Sequence, residues 1–208
     1  MMRKIVIVGS PGAGKSTLAR KLGELLDIPV IHLDHYFWKE NWRKPASSKR
    51  QEFIRKKVDE QAWIIEGTYH DRLGTLLKEA DTIVFLDMPV SLCLWRVIKR
   101  SITERERPDL PKNTKDVLRP RLIKRVLQFS GSEYIYLMCR LNLKTNRHKV
   151  VRFTSSEELA ISLEKLRSGE TDRLIAPQQQ IATRQIKQSV LSVLCLITGL
   201  ILSPGSLF

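Results

Sequence analysis

Between an apolar run, Ile5 to Val8, and an amphipathic stretch, "KSTLARKLGELL", the chain reads "GSPGAGKST". Gly9, Gly14, Lys15 and Ser16 there satisfy the pattern G-x-x-x-x-G-K-[ST], and a strand before it with a helix after it is the context that gives the pattern meaning. Glycines let backbone N–H groups converge on an anion, and the positive end of the following helix adds to the attraction. Gly9, Ser10, Pro11, Gly12, Ala13, Gly14, Lys15, Ser16 and Thr17 are therefore the expected cradle for a nucleoside triphosphate. Lys15 is placed at the γ-phosphate and the Ser16 hydroxyl on Mg²⁺. ATP and Mg²⁺ are the cofactors this implies.

The cradle restricts the fold to an α/β sheet, and the rest of the chain agrees. Ile5–Val8, Val30–Leu33, Trp63–Ile65, Thr82–Leu86 and Val150–Phe153 are short, nearly all-apolar runs, as expected of strands covered on both faces. The segments "KSTLARKLGELL", "SSKRQEFIRKKVDEQ", "HDRLGTLLKEA" and "PVSLCLWRVIKR" have apolar residues at helical spacing. A three-layer α/β/α domain over residues 1–168 follows. Pro89 suits the first turn of a helix, and "SSEE" at Ser155 to Glu158 forms a capping box. A polar, proline-bearing linker is expected over 169–188 and an uncharged hydrophobic tail over 189–208.

Ligands of open α/β sheets collect beyond the carboxyl ends of the strands. After the second strand, "DHYFWKENWR" offers Asp34 to orient a hydroxyl or the metal shell. Tyr36, Phe37, Trp38 and Trp42 either stack on an acceptor or pack a helix pair onto the core. After the third, "EGTYHDR" offers Glu66, Gly67 and Arg72 to an acceptor, or else a cap and ion pair for the next helix. "TIVFLD" ends the fourth strand on Asp87, a candidate for the metal side with Ser16 and equally a turn residue. The helix that follows carries Arg96 and Arg100 on one face, and the segment 101–113, bracketed by Pro108 and Pro111, adds Arg105 and Arg107. Their planar forks suit a lid that holds transferring phosphate away from water, against the alternative of a solvated helix end.

Charge and cysteines bound the partners. The net charge is +14, and residues 88–168 hold 18 basic against 8 acidic side chains, an excess suited to polyanions or to a solvated basic surface. Cys93, Cys139 and Cys195 make no paired framework and point to a reducing, cytoplasmic setting without structural zinc. His32, His35, His70 and His148 lack a supporting ligand set and are expected to be ordinary strand or loop residues. The first apolar run is too short for a signal peptide. The apolar part of the tail, Val190 to Leu202, would span about 20 Å as a helix. That leaves a peripheral or tail-anchored membrane contact, a docked helix and a disordered end as its readings.

"GSPGAGKSTLA", "HLDHYFWKENW", "WIIEGTYHDRL" and "ADTIVFLDMPVSLCLWRVIKR" together resemble the adenylate-kinase-like branch of P-loop proteins, and within it the DNA topology modulation or FlaR-related group. The match runs through Arg100 and continues more weakly to about Leu166. Asp and Asn are more usual in that group where this chain has Glu66 and Thr68. The resemblance implies a five-stranded parallel sheet in the order 2-3-1-4-5, Arg96 against adenine, Arg100 and the lid arginines near the transferring phosphate, and Glu66 and Arg72 at the acceptor and metal water. The expected activity is transfer of the ATP γ-phosphate to a small acceptor. The alternative is a DNA-associated, ATP-binding regulator, although residues 1–166 contain no recognisable groove-reading motif.

Overall fold

In a computed structural model of the protein, residues 2–37, 47–67, 70–102 and 120–175 are described. Five parallel strands form one sheet: β1 (Lys4–Gly9), β2 (Val30–His32), β3 (Trp63–Glu66), β4 (Thr82–Leu86) and β5 (Val150–Phe153). Their order is β2-β3-β1-β4-β5, as the resemblance implies. β1 lies at the centre, where Ile5, Val6, Ile7 and Val8 have no exposed surface. All of β3 and β4 is buried, whereas the edge strands β2 and β5 are only partly covered. Central strands with apolar side chains on both faces require helices on both sides, which explains the layering.

Those helices are α1 (Lys15–Leu26), α2 (Leu33–Phe37), α3 (Ser47–Val58), α4 (His70–Glu79), α5 (Val90–Ile102), α6 (Pro120–Gln128), α7 (Tyr134–Leu141), α8 (Lys144–Arg147) and α9 (Ser156–Arg167). α1 presents Leu18, Ala19 and Leu22 to a core cluster shared with Ile5, Ile7, Ile64, Val84, Cys93, Val97 and Phe153. Two local signals are met. The Pro89 carbonyl accepts from Cys93 N–H at the start of α5, and Ser155 Oγ accepts from Glu158 N–H at 3.1 Å at the start of α9.

Two features differ from expectation. The stretch between α6 and β5 folds as a π-helical turn (Phe129–Glu133) followed by α7 and α8, and its Phe129, Leu137, Met138 and Leu141 are buried. The first residues of the expected linker pack on the domain: Leu174 is buried beside Met2, and Ile175 N–H donates to Ser162 Oγ at 3.0 Å. Apolar Leu174 inside a polar stretch is enough to draw the chain back onto the domain. Residues 1–176 form one compact unit; residues 177–208, with the expected tail, lie outside the described residues. No helix of the described residues is long and apolar enough to cross a membrane.

Candidate active site

Strand β1 ends on Gly9, and the chain turns through Ser10 to Gly14 before α1 begins at Lys15. Glycine is required twice in this turn. A Cβ on Gly9 would stand 2.5 Å from the Leu86 carbonyl oxygen, and one on Gly12 would stand 2.4 Å from that of Cys93, with φ values of +149° and +84°. Those contacts press the loop against β4 and α5, so its amides are held in place before any anion arrives. The Lys15 ammonium donates to the carbonyls of Gly9 and Ser10 at 3.1 and 2.9 Å. Its pKa is lowered, first by burial; the charges of Glu66 and Asp34 oppose that shift, and the charge of Arg125 on α6 adds to it.

The register of the sheet builds the acidic side of the site. Glu66 is paired with Ile7 of β1 on one side and His32 of β2 on the other. Its side chain is 2% exposed, and one oxygen, Oε1, accepts from Ser16 Oγ at 3.0 Å and contacts His32 Nδ1 at 2.9 Å. A buried carboxylate needs such donors. Asp34 lies in the first turn of α2, half-buried and close enough to Lys15 for their charges to interact.

Asp87 is placed differently from the expectation that coupled it to Ser16. Its Oδ2 accepts from Arg152 Nε at 2.8 Å, from the same guanidinium's terminal nitrogen, and from Tyr134 Oη at 3.2 Å. Arg152 stands on β5 and Tyr134 opens α7, so Asp87 ties the end of β4 to both. Ser16, meanwhile, is bonded to Glu66. Burial, then the Asp87 charge, pushes the Tyr134 phenol up to about 12.

Arg96 reaches from α5 to the cradle: one terminal nitrogen donates to the Ala13 carbonyl at 3.1 Å and the other to Ser156 Oγ at 2.8 Å. It therefore joins the phosphate loop to the start of α9. Arg100 is one turn further along, with its Nε shielded from solvent. The Cys93 thiol, fully buried under Gly12, is pushed up by that burial and serves as core. Of the expected aromatic wall, Tyr36 lies against Phe53 of α3, ring centroids 4.3 Å apart. Trp38, Trp42, Arg105, Arg107 and residues 103–113 of the expected lid lie outside the described residues, as do the side chains of Phe37 and Arg72; Ser101 and Ile102 are the last residues of α5.

Sequence reading misses three residues of this region: His32, expected to be an ordinary strand residue, Arg152 and Tyr134. Only His32 had a usable signal, its position two residues before Asp34 at the end of a strand. For a divalent cation, the Ser16 hydroxyl and the Glu66 carboxylate form a hard oxygen pair next to the phosphate loop. Mg²⁺ is bound by one or two carboxylates plus substrate phosphates rather than by a protein cage, so these donors fit it. Among the described residues no group of three or more His, Cys, Asp and Glu side chains forms a metal cage of its own.

No protein-family model matches the chain. It is 30% identical over 123 residues to shikimate kinase of Rhodococcus jostii, covering 52% of this chain and 70% of that protein. It is 34% identical over 110 residues to cytidylate kinase of Sulfurisphaera tokodaii, covering 46% of this chain and 61% of that one. Among solved structures, shikimate kinase from Bacteroides thetaiotaomicron matches with a TM-score of 0.50 at 18% identity, over 82% of this chain and 99% of the other. That last likeness speaks for the fold alone, and it agrees with the sheet order found. With the phosphate cradle at the head of a 2-3-1-4-5 sheet, these similarities establish that the chain belongs to the family of P-loop kinases that includes the shikimate kinases.

Proposed function

We propose that the protein transfers the γ-phosphate of ATP to a hydroxyl of a small acceptor. The observation that carries this reading is the meeting of Lys15, Ser16, Glu66 and Asp34 at the carboxyl ends of β1, β2 and β3. That group combines a cation for the γ-phosphate, oxygen donors for Mg²⁺ and a separate carboxylate for the acceptor. Lys15 leaves the Gly9 and Ser10 carbonyls to meet the β,γ-phosphates. Ser16 and Glu66 take the metal side, with Asp87 at the end of β4 as a further carboxylate for it, and Mg²⁺ there would neutralise charge on the phosphates.

Asp34 orients the acceptor hydroxyl and takes its proton as the acceptor oxygen bonds to the γ-phosphorus. The bond from that phosphorus to the β,γ-bridging oxygen breaks, and ADP leaves. Arg96 lies against the adenine, while Arg100, Arg105 and Arg107 stabilise the transferring phosphoryl group. Glu66, Gly67, Arg72 and Trp38 border the acceptor. Shikimate and cytidylate, named by the relatives, head the acceptors to screen. The test is ADP release coupled to NADH oxidation across a panel of these, nucleosides and other small alcohols. The reading predicts acceptor-dependent release by one class; slow, acceptor-independent hydrolysis throughout would refute it.

A DNA-associated role, the finer reading of the topology-modulation resemblance, has one observation in its favour. Lys124, Arg125, Arg140, Lys144 and Arg147 are exposed on α6 to α8, where Glu133 is the sole acidic residue of segment 120–149. Duplex binding that weakens steeply with salt and survives Lys15→Ala would support it; no gel shift at low salt would exclude it.

A further inference from the structure

We infer that His32 is a positioning residue that aims the Glu66 carboxylate at the magnesium-bound nucleotide. The inference rests on the kinase reading, in which Glu66 stands on the metal side.

His32 and Glu66 are register partners on adjacent parallel strands. Neighbouring strands lie about 4.8 Å apart, so the two side chains meet if they leave the same face, and here Nδ1 and Oε1 are 2.9 Å apart. A carboxylate only accepts, so the imidazole donates from Nδ1. The ring is itself held, with 13% of its side chain exposed. Its neighbour Leu33 is fully buried, which fixes the backbone at the junction of β2 and α2.

Ser16 and His32 converge on the same oxygen of Glu66, but their tasks differ. Ser16 also belongs to the phosphate loop, and its hydroxyl oxygen is one of the donors offered to the metal. His32 stands outside the loop, on β2, and among the described residues its ring bonds to Glu66. With Oε1 fixed from two sides, the carboxylate plane is set and Oε2 is directed by default. Among the described residues Oε2 takes part in no hydrogen bond. Partners that orient a metal-side ligand typically influence metal affinity by about 10- to 100-fold, and a positioned carboxylate binds without losing rotamer freedom.

The test separates metal-dependent from metal-independent nucleotide binding. Calorimetric titration with ATP is run in EDTA and in excess MgCl2 on the full chain, its His32→Ala variant and its His32→Asn variant. Asn retains an N–H close to the Nδ1 position. The expected result is that His32→Ala binds ATP in EDTA within about twofold of the unaltered protein but loses about tenfold with Mg²⁺, and that His32→Asn recovers most of the loss. Thermal unfolding of each variant checks the fold. Equal loss in EDTA and Mg²⁺, or no loss in either, would overturn the inference while leaving the kinase reading standing. If the unaltered protein fails to bind ATP at all, the kinase reading fails instead.

Discussion

Ser16 Oγ donates to Glu66 Oε1 across 3.0 Å, joining the first turn of α1 to the end of β3 over 50 positions of sequence. The bond sets a hydroxyl and a carboxylate side by side at the mouth of the phosphate loop. Glu66 also supports the charge of Lys15, which burial would otherwise discourage. Glu66→Gln keeps the volume and removes the charge. Binding of ATP with Mg²⁺ should weaken by about tenfold or more, while metal-free ATP should bind at least as well because a negative group facing the triphosphate is gone. Paired calorimetric titrations with and without MgCl2 check this.

Gly12 and Gly74 make a contrast. Gly12→Ala places a methyl 2.4 Å from the Cys93 carbonyl oxygen at φ +84°, so the loop must move or strain. A cost of about 1–3 kcal/mol and loss of ATP binding are expected. Gly74 lies inside α4, and the nearest atom to an added Cβ is Arg140 Nη1 at 3.9 Å. Gly74→Ala should stabilise the protein by about 0.5–1 kcal/mol, since helical glycine costs backbone entropy. Urea unfolding of both variants gives the two opposite signs.

Burial keeps the phenol of Tyr134 in its neutral form. Its folded value is raised from 10 to about 12 by burial and the neighbouring Asp87, so the fold favours the neutral form. The stability from this group is fully present below pH 10 and is lost as the pH rises through about 12. Absorbance of tyrosinate should show a late step near pH 12 that Tyr134→Phe removes.

At α9, Ser155 Oγ accepts from Glu158 N–H while Glu158 accepts from Thr154 N–H at 2.9 Å. The Thr154 amide, joined by the Thr154 hydroxyl, holds the Glu158 carboxyl below its ordinary value. Its contribution is present above the unfolded pKa and is lost as pH falls through the lower folded one. Ser155→Ala should cost about 1 kcal/mol. Because Arg96 also reaches Ser156 of this turn, ATP affinity should fall with it, measurable in the same titration.

The contrast between Lys15 and His32 marks what the sequence made legible. Lys15 sits in a contiguous motif whose glycines, strand and helix are all local, so the cradle and its partners Ser16 and Thr17 could be read directly. The five strands were legible for the same reason, as short runs of buried apolar residues. His32 acquires a role only when β2 lies beside β3 in parallel register, a pairing of residues 34 positions apart that no local pattern encodes. Asp87 shows the converse. Its place at a strand end was evident, but the guanidinium of Arg152, 65 residues away, engages the same carboxylate, a contact no local pattern encodes. Helix α7 went unread because its short apolar run lies between basic stretches that looked like a surface for polyanions, yet Leu137, Met138 and Leu141 supply the buried side that folds it.

The account depends on the loop from Gly9 to Thr17 holding the triphosphate of ATP. Calorimetric titration of the full chain with ATP and Mg²⁺, beside Lys15→Ala, tests it most directly. Saturable one-to-one binding that Lys15→Ala reduces by tenfold or more is the predicted result. Absence of heat with the unaltered protein, or equal binding by the variant, would contradict it.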